Sequence, residues 1–564
     1  MRCWLPRGNR ETRRAARDGF SFWSECRQER QNIVRITRKA FLVKSAALVP
    51  PALAFSIPAQ EAGFSSRGST FKFNVADHGA KGNGVAKDTG AIQSAIDAAG
   101  KAGGTVYIPP GNYLSGTLHL RSFVTLYLSP GSTLLASLDA SDFDPYENLG
   151  YKTGSDVETT YFHSALLLGE GVHDLAIIGR GLIDGNRPKR GGPKPIALKN
   201  CRQVQIRDIT LRNAPNYTIS MLGCEYVDID GVTIFNGFAD GIDPDCSRNV
   251  RIANCYIESW DDCICPKTSF GLGERRSTEN ITVTNCVLST ASDAFKLGTE
   301  SSGDFKNIAF TNCTVCSQPN KWKRRPTAGV AIESVDGANI DRVVVSNVAM
   351  EGVRAPIFIR LGNRGRAQQV ATPGTLQNVS ISNIVATGAE LASSITGIPD
   401  HPVRHVSLSH IRITASGSGL VKHFEVPEEI AKYPEADMFG ELPAYGLFCR
   451  HTEDLTLSEV HLSTETLDER PALVANDVSD LDLTDFRGQP PSGDRPVVYL
   501  NNTRRVLIQG ARALTGTGTF LRLAGEKTET VRALGNDFSE ARPAFVLNDE
   551  VSKDALIGKA NVLP

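Results

Sequence analysis

The chain has 564 residues, 41% of them hydrophobic, and 61 basic residues against 62 acidic ones give it a formal net charge of -1. This balance provides no electrostatic reason to expect a nucleic acid or a membrane surface as partner. The body of the chain has no run of 18 or more apolar residues, so no spanning helix is expected there.

Residues 1–60 are predicted to be an upstream extension followed by an export signal. In TRKAFLVKSAALVPPALAFSIPAQ (37–60), basic residues precede an apolar run and small residues, which is the layout of such a signal. The Arg38-Lys39 pair is typical of a variant twin-arginine signal. We therefore expect an exported protein, periplasmic or secreted, with no membrane attachment after the signal is removed. The alternative is a disordered basic tail on a cytoplasmic protein.

One helix is predicted near the start of the folded part, in DTGAIQSAIDAAGKAGG (88–104). Its apolar residues fall on one face: Ile92, Ala95, Ile96 and Ala99. Asp88 can cap its start, and glycines follow its end. We expect this helix to cover the open end of the repeats that follow, because an uncovered strand edge invites pairing with other chains.

From about residue 200 a short pattern returns along the chain. Units such as RQVQIRDITLRNAP (202–215) and EYVDIDGVTIFNGF (225–238) alternate apolar and polar residues, turn at Asn, Asp or Gly, and alternate again. Alternation with period two predicts short strands. Strands this short must stack in coils to bury a core, whereas a propeller would need about 40 residues per blade. The pattern predicts an all-β fold, a parallel β-helix.

We assign residues 70–564 to this β-helix, with the catalytic coils at about 200–365 and a loop insertion at about 420–450. Most of the twelve cysteines lie between 201 and 316, often in an Asn-Cys dipeptide. Their even recurrence favours small side chains stacked in the core. At least one disulfide is the alternative, since an exported protein permits it.

The stretch FADGIDPDCSRNVRIANCYIESWDDCI (238–264) carries acids on both sides of a strand. Asp240 and Asp261 are 21 residues apart, close to one coil, and equivalent positions in stacked coils lie about 4.8 Å apart. We expect them on one side of the solenoid, with Asp262 beside them and Asp293 one coil further on. Neighbouring carboxylates raise at least one pKa, and an acid beside ionised carboxylates suits glycoside hydrolysis. Turn residues on a solvated surface are the alternative.

Over about residues 70–465 the chain resembles the glycoside hydrolases of family 28, the polygalacturonases and rhamnogalacturonan hydrolases. The matching stretches are FNVADHGAKGNGVAKDTGAIQSAIDAA, GRGLIDGNR, LRNAPNYTI, FADGIDPD and WDDCI. The resemblance implies a single-stranded right-handed parallel β-helix, a pectin lyase-like solenoid, and hydrolysis with inversion. It implies that Asp261 is the general acid and that Asp240 and Asp262 hold and deprotonate the attacking water. No cofactor and no metal is implied.

The chain departs from the family pattern at two motifs. The family's Gly-His-Gly falls on SDA (292–294), and its Arg-Ile-Lys falls on AIE (331–333). In polygalacturonases that Arg/Lys pair binds a galacturonate carboxylate, which Glu333 would repel unless nearby cations compensate. We therefore expect a pectic or other plant-wall glycan different from plain polygalacturonan.

Several further residues are candidates for binding the substrate: Asp243, Lys267, Asp293, Lys296, Glu333, Arg360, Tyr445, Arg450 and His451. Lys296 and Arg360 lie on otherwise apolar strands, so each contacts substrate or forms an internal ion pair, with Glu300 as a possible partner. The stretch 423–451 interrupts the repeats, and long loops on rigid scaffolds often form binding walls. The alternative for this loop is a flap that packs over the solenoid.

Taken together, these patterns predict an exported hydrolase that binds a polysaccharide or oligosaccharide and acts as a monomer. Two other classes stay open. A β-helix polysaccharide lyase or uronate epimerase would need a base for the C5 proton and usually a cation to acidify it. A glycan-binding solenoid that lost its chemistry is the third class.

Overall fold

The computed structural model describes residues 72–317, 325–420 and 424–564, so the predicted export signal lies outside the described residues. Strands are the main secondary structure in the described part of the chain. The strands are β1 (Lys72–Asn74), β2 (Asn83–Lys87), β3 (Gly104–Ile108), β4 (Gly111–Ser115), β5 (Leu118–His119), β6 (Val124–Leu128), β7 (Ser132–Ala136), β8 (Ala165–Glu170), β9 (His173–Gly179), β10 (Leu182–Asp184), β11 (Lys194–Lys199), β12 (Arg202–Arg207), β13 (Thr210–Arg212), β14 (Ile219–Leu222), β15 (Glu225–Asp230), β16 (Thr233–Gly237), β17 (Ile242–Asp245), β18 (Arg248–Ala253), β19 (Tyr256–Ser259), β20 (Thr278–Thr284), β21 (Val287–Ser289), β22 (Asp293–Leu297), β23 (Phe305–Cys316), β24 (Ala328–Ser334), β25 (Asn339–Glu351), β26 (Ala355–Leu361), β27 (Thr375–Ala389), β28 (Ser393–Thr396), β29 (Val403–Ala415), β30 (Leu447–Thr464), β31 (Leu473–Thr484), β32 (Arg487–Gly488), β33 (Val498–Asn501), β34 (Arg504–Gln509), β35 (Leu521–Ala524), β36 (Glu529–Leu534), β37 (Phe545–Leu547) and β38 (Leu556–Lys559).

Two short stretches of α-helix and three single turns of 3₁₀-helix accompany these strands. They are α1 (Thr89–Ala102), α2 (Val157–Thr160) and the 3₁₀ turns Val75–His78, Ala140–Asp142 and Lys553–Ala555. Across the described ranges, no helix is both long and apolar enough to cross a membrane.

Each strand pairs in parallel with the strand one coil later, which confirms the predicted parallel β-helix. In one ladder β12 pairs with β15, β15 with β18 and β18 with β20. Their inward side chains stack in register, so that Val204, Val227, Val250 and Ile281 form one buried column. This column explains the period-two pattern, because only every second residue of a strand can face the interior.

The coils extend beyond the segment where the repeat is obvious in the sequence. Strands β3, β6 and β9 already form the ladder that β12 continues. At the other end β34, β36 and β38 carry the same ladder to Lys559. A single stacked core therefore runs through the described part of the chain.

Helix α1 lies where the sequence predicts a helix, and its predicted apolar face is buried in the core. The side chain of Asp88 does not cap it. Instead, its two carboxylate oxygens accept hydrogen bonds from the backbone amides of Lys81 and Gly82, at 2.7 and 3.0 Å. That this helix protects the first coil from edge pairing stays a prediction.

Asparagines form a ladder at one corner of the coils. We call Asn254, Asn285, Asn312, Asn347 and Asn383 the asparagine ladder. All five have φ between 55° and 57°, a left-handed turn conformation that asparagine tolerates. Three of these amides donate to the preceding asparagine of the ladder: Asn285 to Asn254 at 3.4 Å, Asn347 to Asn312 at 2.9 Å and Asn383 to Asn347 at 3.0 Å.

The ten cysteines within the described ranges are all free, and nine of them are buried. Cys255, Cys286 and Cys313 stack behind the asparagine ladder, one residue after its members. The predicted role as small core side chains is confirmed for these ten, and the alternative of a disulfide is wrong for them.

Candidate active site

The coil register brings three aspartates level with one another. Ile242 pairs with Ile264, and Ile264 pairs with Phe295. Two residues before these positions stand Asp240, Asp262 and Asp293, which we call the carboxylate ladder. The spacing of 21 residues predicts that Asp240 pairs with Asp261, which is one residue away from this register. Asp261 instead points out of the ladder, and its side chain is 32% exposed.

Lys267 neutralises one end of the carboxylate ladder. Its ammonium lies 2.5 Å from Asp240 and 2.7 Å from Asp243, and all three side chains are buried. The ring of Tyr217 lies 4.5 Å from the same ammonium, which adds a cation–π contact. Lys267 and Asp243 therefore touch the acids, and they do not project into open space.

Lys296 serves the other two members of the ladder. Its ammonium lies 2.8 Å from Asp293, 3.5 Å from Asp262 and 3.4 Å from Glu435. Of the two alternatives for Lys296, the structure shows the internal ion pair. Its partner is not Glu300, which lies 3.4 Å from Arg366. Asp262 also accepts a 2.8 Å hydrogen bond from the Ser292 hydroxyl and one from the Asp293 amide.

These surroundings separate the proton affinities of the ladder members. Burial, followed by the charge of Asp243, raises the pKa of Asp240 well above its ordinary value. Burial also raises the pKa of Asp293, to about 6, with the charge of Asp262 acting in the same direction. Burial opposes the ionisation of Asp262 too, but the cations of Lys296 and Lys267 outweigh it and lower its pKa. Asp262 is therefore the ladder member best suited to be an ionised base.

Asp261 is held by a different cation. The Arg190 Nη1 atom donates to Asp261 Oδ2 at 2.6 Å. The same guanidinium binds both carboxylate oxygens of Glu158, from Nε at 2.8 Å and from Nη2 at 2.9 Å. Glu158 lies on helix α2, whose backbone is fixed by the buried Lys194 through a 2.6 Å hydrogen bond to the Glu158 carbonyl.

An open cavity of about 540 Å³ lies in front of these residues. It is lined by Pro188, Lys189, Arg190, Phe238, Trp260, Asp261, Ala291, Ser292, Thr327, Glu435 and Asp437. A second cavity of about 580 Å³ shares Pro188, Phe238 and Trp260 with it, so the two form one groove. The Phe238 and Trp260 rings lie 6.2 Å apart between them, which supplies an apolar surface for the face of a sugar ring.

Glu333 and Arg360 lie level with each other on β24 and β26, but both are buried away from this cavity. Burial raises the pKa of Glu333 well above its ordinary value, which favours its neutral form, although the charge of Lys296 acts in the other direction. Arg360 donates to the backbone carbonyls of Gly397 and Glu428, at 3.0 and 2.8 Å. Arg360 therefore holds the insertion loop in place. It does not lie at the cavity, where a sugar contact was expected.

The three candidates at the end of the loop also serve packing. The hydroxyl of Tyr445 donates to the Gln489 carbonyl at 2.9 Å, and the guanidinium of Arg450 donates to the Pro427 carbonyl at 2.9 Å. The imidazole of His451 lies between Asp477 and Glu428. None of the three lines the cavity. For these residues the structure shows the alternative of a packing flap.

The middle of the same loop does reach the cavity, and sequence reasoning missed it. Ala436, Met438 and Phe439 pack against the outer face of β24 and β26. This packing presents Glu435 and Asp437 to the cavity. Arg190 and Trp260 were missed as well, although Trp260 directly precedes the acid pair, where an exposed aromatic residue is a signal for sugar binding.

One oxygen of Asp240, one oxygen of Asp262 and the sulfur of Cys265 lie within 4.8 Å of one another. Such a group has the composition of a metal site, but the Lys267 ammonium lies 2.5 Å from Asp240 and already supplies a positive charge there. The same spacing lets the two carboxylates share one water molecule.

A family model and related sequences both point to one family of enzymes. Residues 113–431 match the model of glycosyl hydrolases family 28. A probable polygalacturonase of Vitis vinifera is 27% identical over 369 residues, which cover 60% of this chain and 74% of that protein. An exo-poly-alpha-D-galacturonosidase of Dickeya chrysanthemi is 24% identical over 61% of this chain and 67% of that protein.

Two solved structures share the fold. The exopolygalacturonase of Thermotoga maritima superposes with a TM-score of 0.53 at 19% identity, covering 69% of this chain and 91% of that one. The family 28 exopolygalacturonase of Yersinia enterocolitica gives a TM-score of 0.53 at 17% identity, covering 78% of both chains. At these identities the two structures support the β-helix architecture alone.

Proposed function

This chain belongs to glycosyl hydrolases family 28, and we propose that it hydrolyses O-glycosidic bonds of a pectin-like plant-wall polysaccharide in the manner of a polygalacturonase. The observation that carries the proposal is the meeting of Asp240 and Asp262 within 4.8 Å, directly beside the cavity that Asp261 lines. The names of the relatives in Vitis vinifera and Dickeya chrysanthemi support a galacturonan-type substrate. Glu333, the reason for expecting a glycan different from plain polygalacturonan, is buried and does not line the cavity, so it does not oppose this substrate.

We assign the chemical roles as follows. Asp261 gives its proton to the leaving glycosidic oxygen as the bond from that oxygen to the anomeric carbon breaks. A water molecule held by Asp240 and Asp262 adds to the anomeric carbon from the opposite face, and Asp262 takes the proton that this water loses. Direct attack by water inverts the anomeric carbon. Exchange with solvent then returns a proton to Asp261 and removes one from Asp262.

The buried cations act through these acids. Lys267 and Asp243 fix the position of Asp240, while Lys296 and Asp293 keep Asp262 ionised. We therefore treat the four as positioning residues, since each of them is buried and forms an ion pair within this cluster. The sugar-facing surface is formed by the residues that line the groove, among them Phe238, Trp260 and Arg190.

Replacement of the acid tests the assignment. Asp261→Asn should lower the release of reducing sugar from a galacturonan oligomer by at least about 10²-fold, the usual contribution of a general acid. Asp230→Asn is the matched control, because Asp230 is a half-buried acid outside the cavity that is also paired with an arginine at 2.6 Å. Unchanged activity in Asp261→Asn with the fold intact would reject the proposal. Products that absorb as unsaturated uronates would indicate a lyase instead.

We further propose that the protein is exported and acts outside the cytoplasm as a monomer. The support is the signal-like layout of residues 37–60. Sequencing the N-terminus of the protein recovered from the periplasm or the medium should show a start within or shortly after that stretch. Recovery of the uncut chain from the cytoplasm alone would reject export.

A further inference from the structure

The ion pair between Arg190 and Asp261 conflicts with the role proposed for Asp261. A general acid must carry a proton when it meets the leaving oxygen. A carboxylate that accepts a short hydrogen bond from a guanidinium is favoured in its ionised form. The 2.6 Å contact therefore occupies Asp261 Oδ2, and this oxygen cannot meet the leaving oxygen while Arg190 holds it.

The geometry of Arg190 lets this contact be exchanged. Glu158 accepts hydrogen bonds from two of the guanidinium nitrogens, so the position of Arg190 does not depend on Asp261. Both Arg190 and Asp261 line the open cavity, with side chains 42% and 32% exposed. A ligand in the cavity can reach the third nitrogen, Nη1, without displacing Glu158.

The charges of the cavity indicate which ligand would do so. Lys189 and Arg190 give one part of the wall positive charge, and Glu435 and Asp437 give another part negative charge. Lys296, whose ammonium already contacts Asp262, Asp293 and Glu435, is saturated by acids. Arg190 is also paired with Glu158 and Asp261, so an anionic sugar is attracted to the Lys189–Arg190 wall in exchange for Asp261 and is repelled from the other wall.

We propose that Arg190 is a specificity residue that binds the carboxylate of a uronic acid residue of the substrate through Nη1, in place of Asp261, and that the released Asp261 then takes up the proton it later donates. The inference rests on the proposed function, since it assumes that Asp261 is the acid. The proton comes from solvent, and no covalent bond changes in this step. Substrate charge thereby prepares the acid for catalysis.

Charged groups from three other segments face Asp261 besides Arg190. Lys189 precedes β11, Asp240 and Asp262 belong to the carboxylate ladder, and Glu435 and Asp437 come from the insertion loop. A bound uronate adds one more negative charge to these acids once Arg190 has turned to it. The added charge favours the protonated form of a nearby carboxyl group.

Calorimetry of binding measures the exchange directly. A galacturonan trimer is titrated into the Asp240→Asn variant in two buffers of different ionisation enthalpy, which gives the number of protons taken up. We expect uptake close to one proton per bound trimer. The double variant Asp240→Asn/Asp261→Asn should bind the trimer with no uptake. Arg190→Gln in the Asp240→Asn background should weaken binding by at least about 10-fold.

Arg207→Gln is the matched control for Arg190→Gln. Arg207 pairs with Asp230 at 2.6 Å and its side chain is 43% exposed, so it is an ion pair of the same length and exposure outside the cavity. Binding and proton uptake should be unchanged in this variant. Failure of the trimer to bind, binding without proton uptake, or equal binding after Arg190→Gln would each overturn the inference.

Kinetics on esterified substrate separates the inference from the function. The unmodified enzyme should cleave the galacturonan oligomer at least about 10-fold better than its methyl ester, and Arg190→Gln should abolish this preference. Hydrolysis that needs Asp261 but shows the same preference without Arg190 would reject the inference and keep the function. Proton-linked binding without hydrolysis of either substrate would reject the function and keep the carboxylate exchange.

Discussion

The asparagine ladder and the carboxylate ladder are built by the same coil register, yet they have opposite energetics. An amide carries a donor and an acceptor, so Asn312, Asn347 and Asn383 satisfy one another along the stack. An ionised carboxylate only accepts. Asp240, Asp262 and Asp293 therefore require Lys267 and Lys296. Burial raises the pKa values of Asp240 and Asp293, whereas the lysine cations outweigh burial and lower that of Asp262.

The difference shows how a repetitive fold acquires a reactive site. Stacking one residue type at one position is stabilising when the side chains are complementary to themselves, and costly when they repel. The carboxylate ladder retains this cost. Carboxyl groups whose pKa values are shifted by burial and by neighbouring charges are suited to transfer protons near neutral pH.

The largest predicted effect comes from removing the cation of the carboxylate ladder. Lys267→Met should lower the free energy of unfolding by about 3–5 kcal/mol, because the buried Asp240 and Asp243 lose the cation that lies 2.5 and 2.7 Å from them. Urea denaturation measures it. Lys267→Met combined with Asp243→Asn should recover part of the loss, whereas equal stability of Lys267→Met and the unmodified protein would show that the lysine is dispensable.

Lys296→Met should change the pH dependence of activity. Lys296 helps to keep the pKa of Asp262 low, so its loss raises that pKa, and the base is protonated over a wider acidic range. The acid limb of the pH–activity profile should move upward by about 1–2 pH units. Lys306→Met, which removes an exposed lysine paired with Asp304 at 2.9 Å, is the control and should leave the profile in place. An unmoved limb in Lys296→Met would contradict the role given to Asp262.

Asp293 predicts a dependence of stability on pH. Its pKa is raised from 3.8 to about 6 on folding, so between those values the folded chain retains a proton that the unfolded chain has released. Stability contributed by this group is therefore present at low pH and is lost as pH rises through about 6. In Asp293→Asn the difference in unfolding free energy between pH 4.5 and 7 should shrink by about 2 kcal/mol. An unchanged difference would contradict this assignment.

The smallest effect is predicted for the asparagine ladder. Asn347→Gly keeps the left-handed turn but removes two amide hydrogen bonds, and it should cost about 1 kcal/mol of unfolding free energy. Activity should be unchanged. Asn347→Ala should cost more, because its Cβ is strained at a φ of 57°. A loss of activity in Asn347→Gly would show that the two ladders are not independent.

Much of the fold could be predicted from the sequence because alternation with period two and turn asparagines recur at nearly one coil length. The coils before residue 200 were harder to see, because helix α1 stands between β2 and β3 and a long connection, 137–164, separates β7 from β8. The position of helix α1 followed from its apolar face, but the true partner of Asp88 did not, because a side chain can bond to a preceding loop as well as to a helix end.

The site was predicted in part. The acids 240, 261 and 262 were identified, but a spacing of 21 residues could not separate register with Asp261 from register with Asp262, one residue later. Arg190 and Glu435 lie far from the acids in sequence and reach them only through loops that bend back over the coils. No local pattern encodes such contacts, which explains why Tyr445, Arg450 and His451 were preferred over residues in the middle of the same loop.

The central claim is that Asp240 and Asp262 direct a water molecule while Asp261 protonates the leaving oxygen. The most direct test is the anomeric configuration of the first product formed from a galacturonan oligomer. Proton NMR measures this configuration before mutarotation. We expect the configuration opposite to that of the cleaved bond. A first product of retained configuration would require a covalent sugar intermediate and would contradict the account.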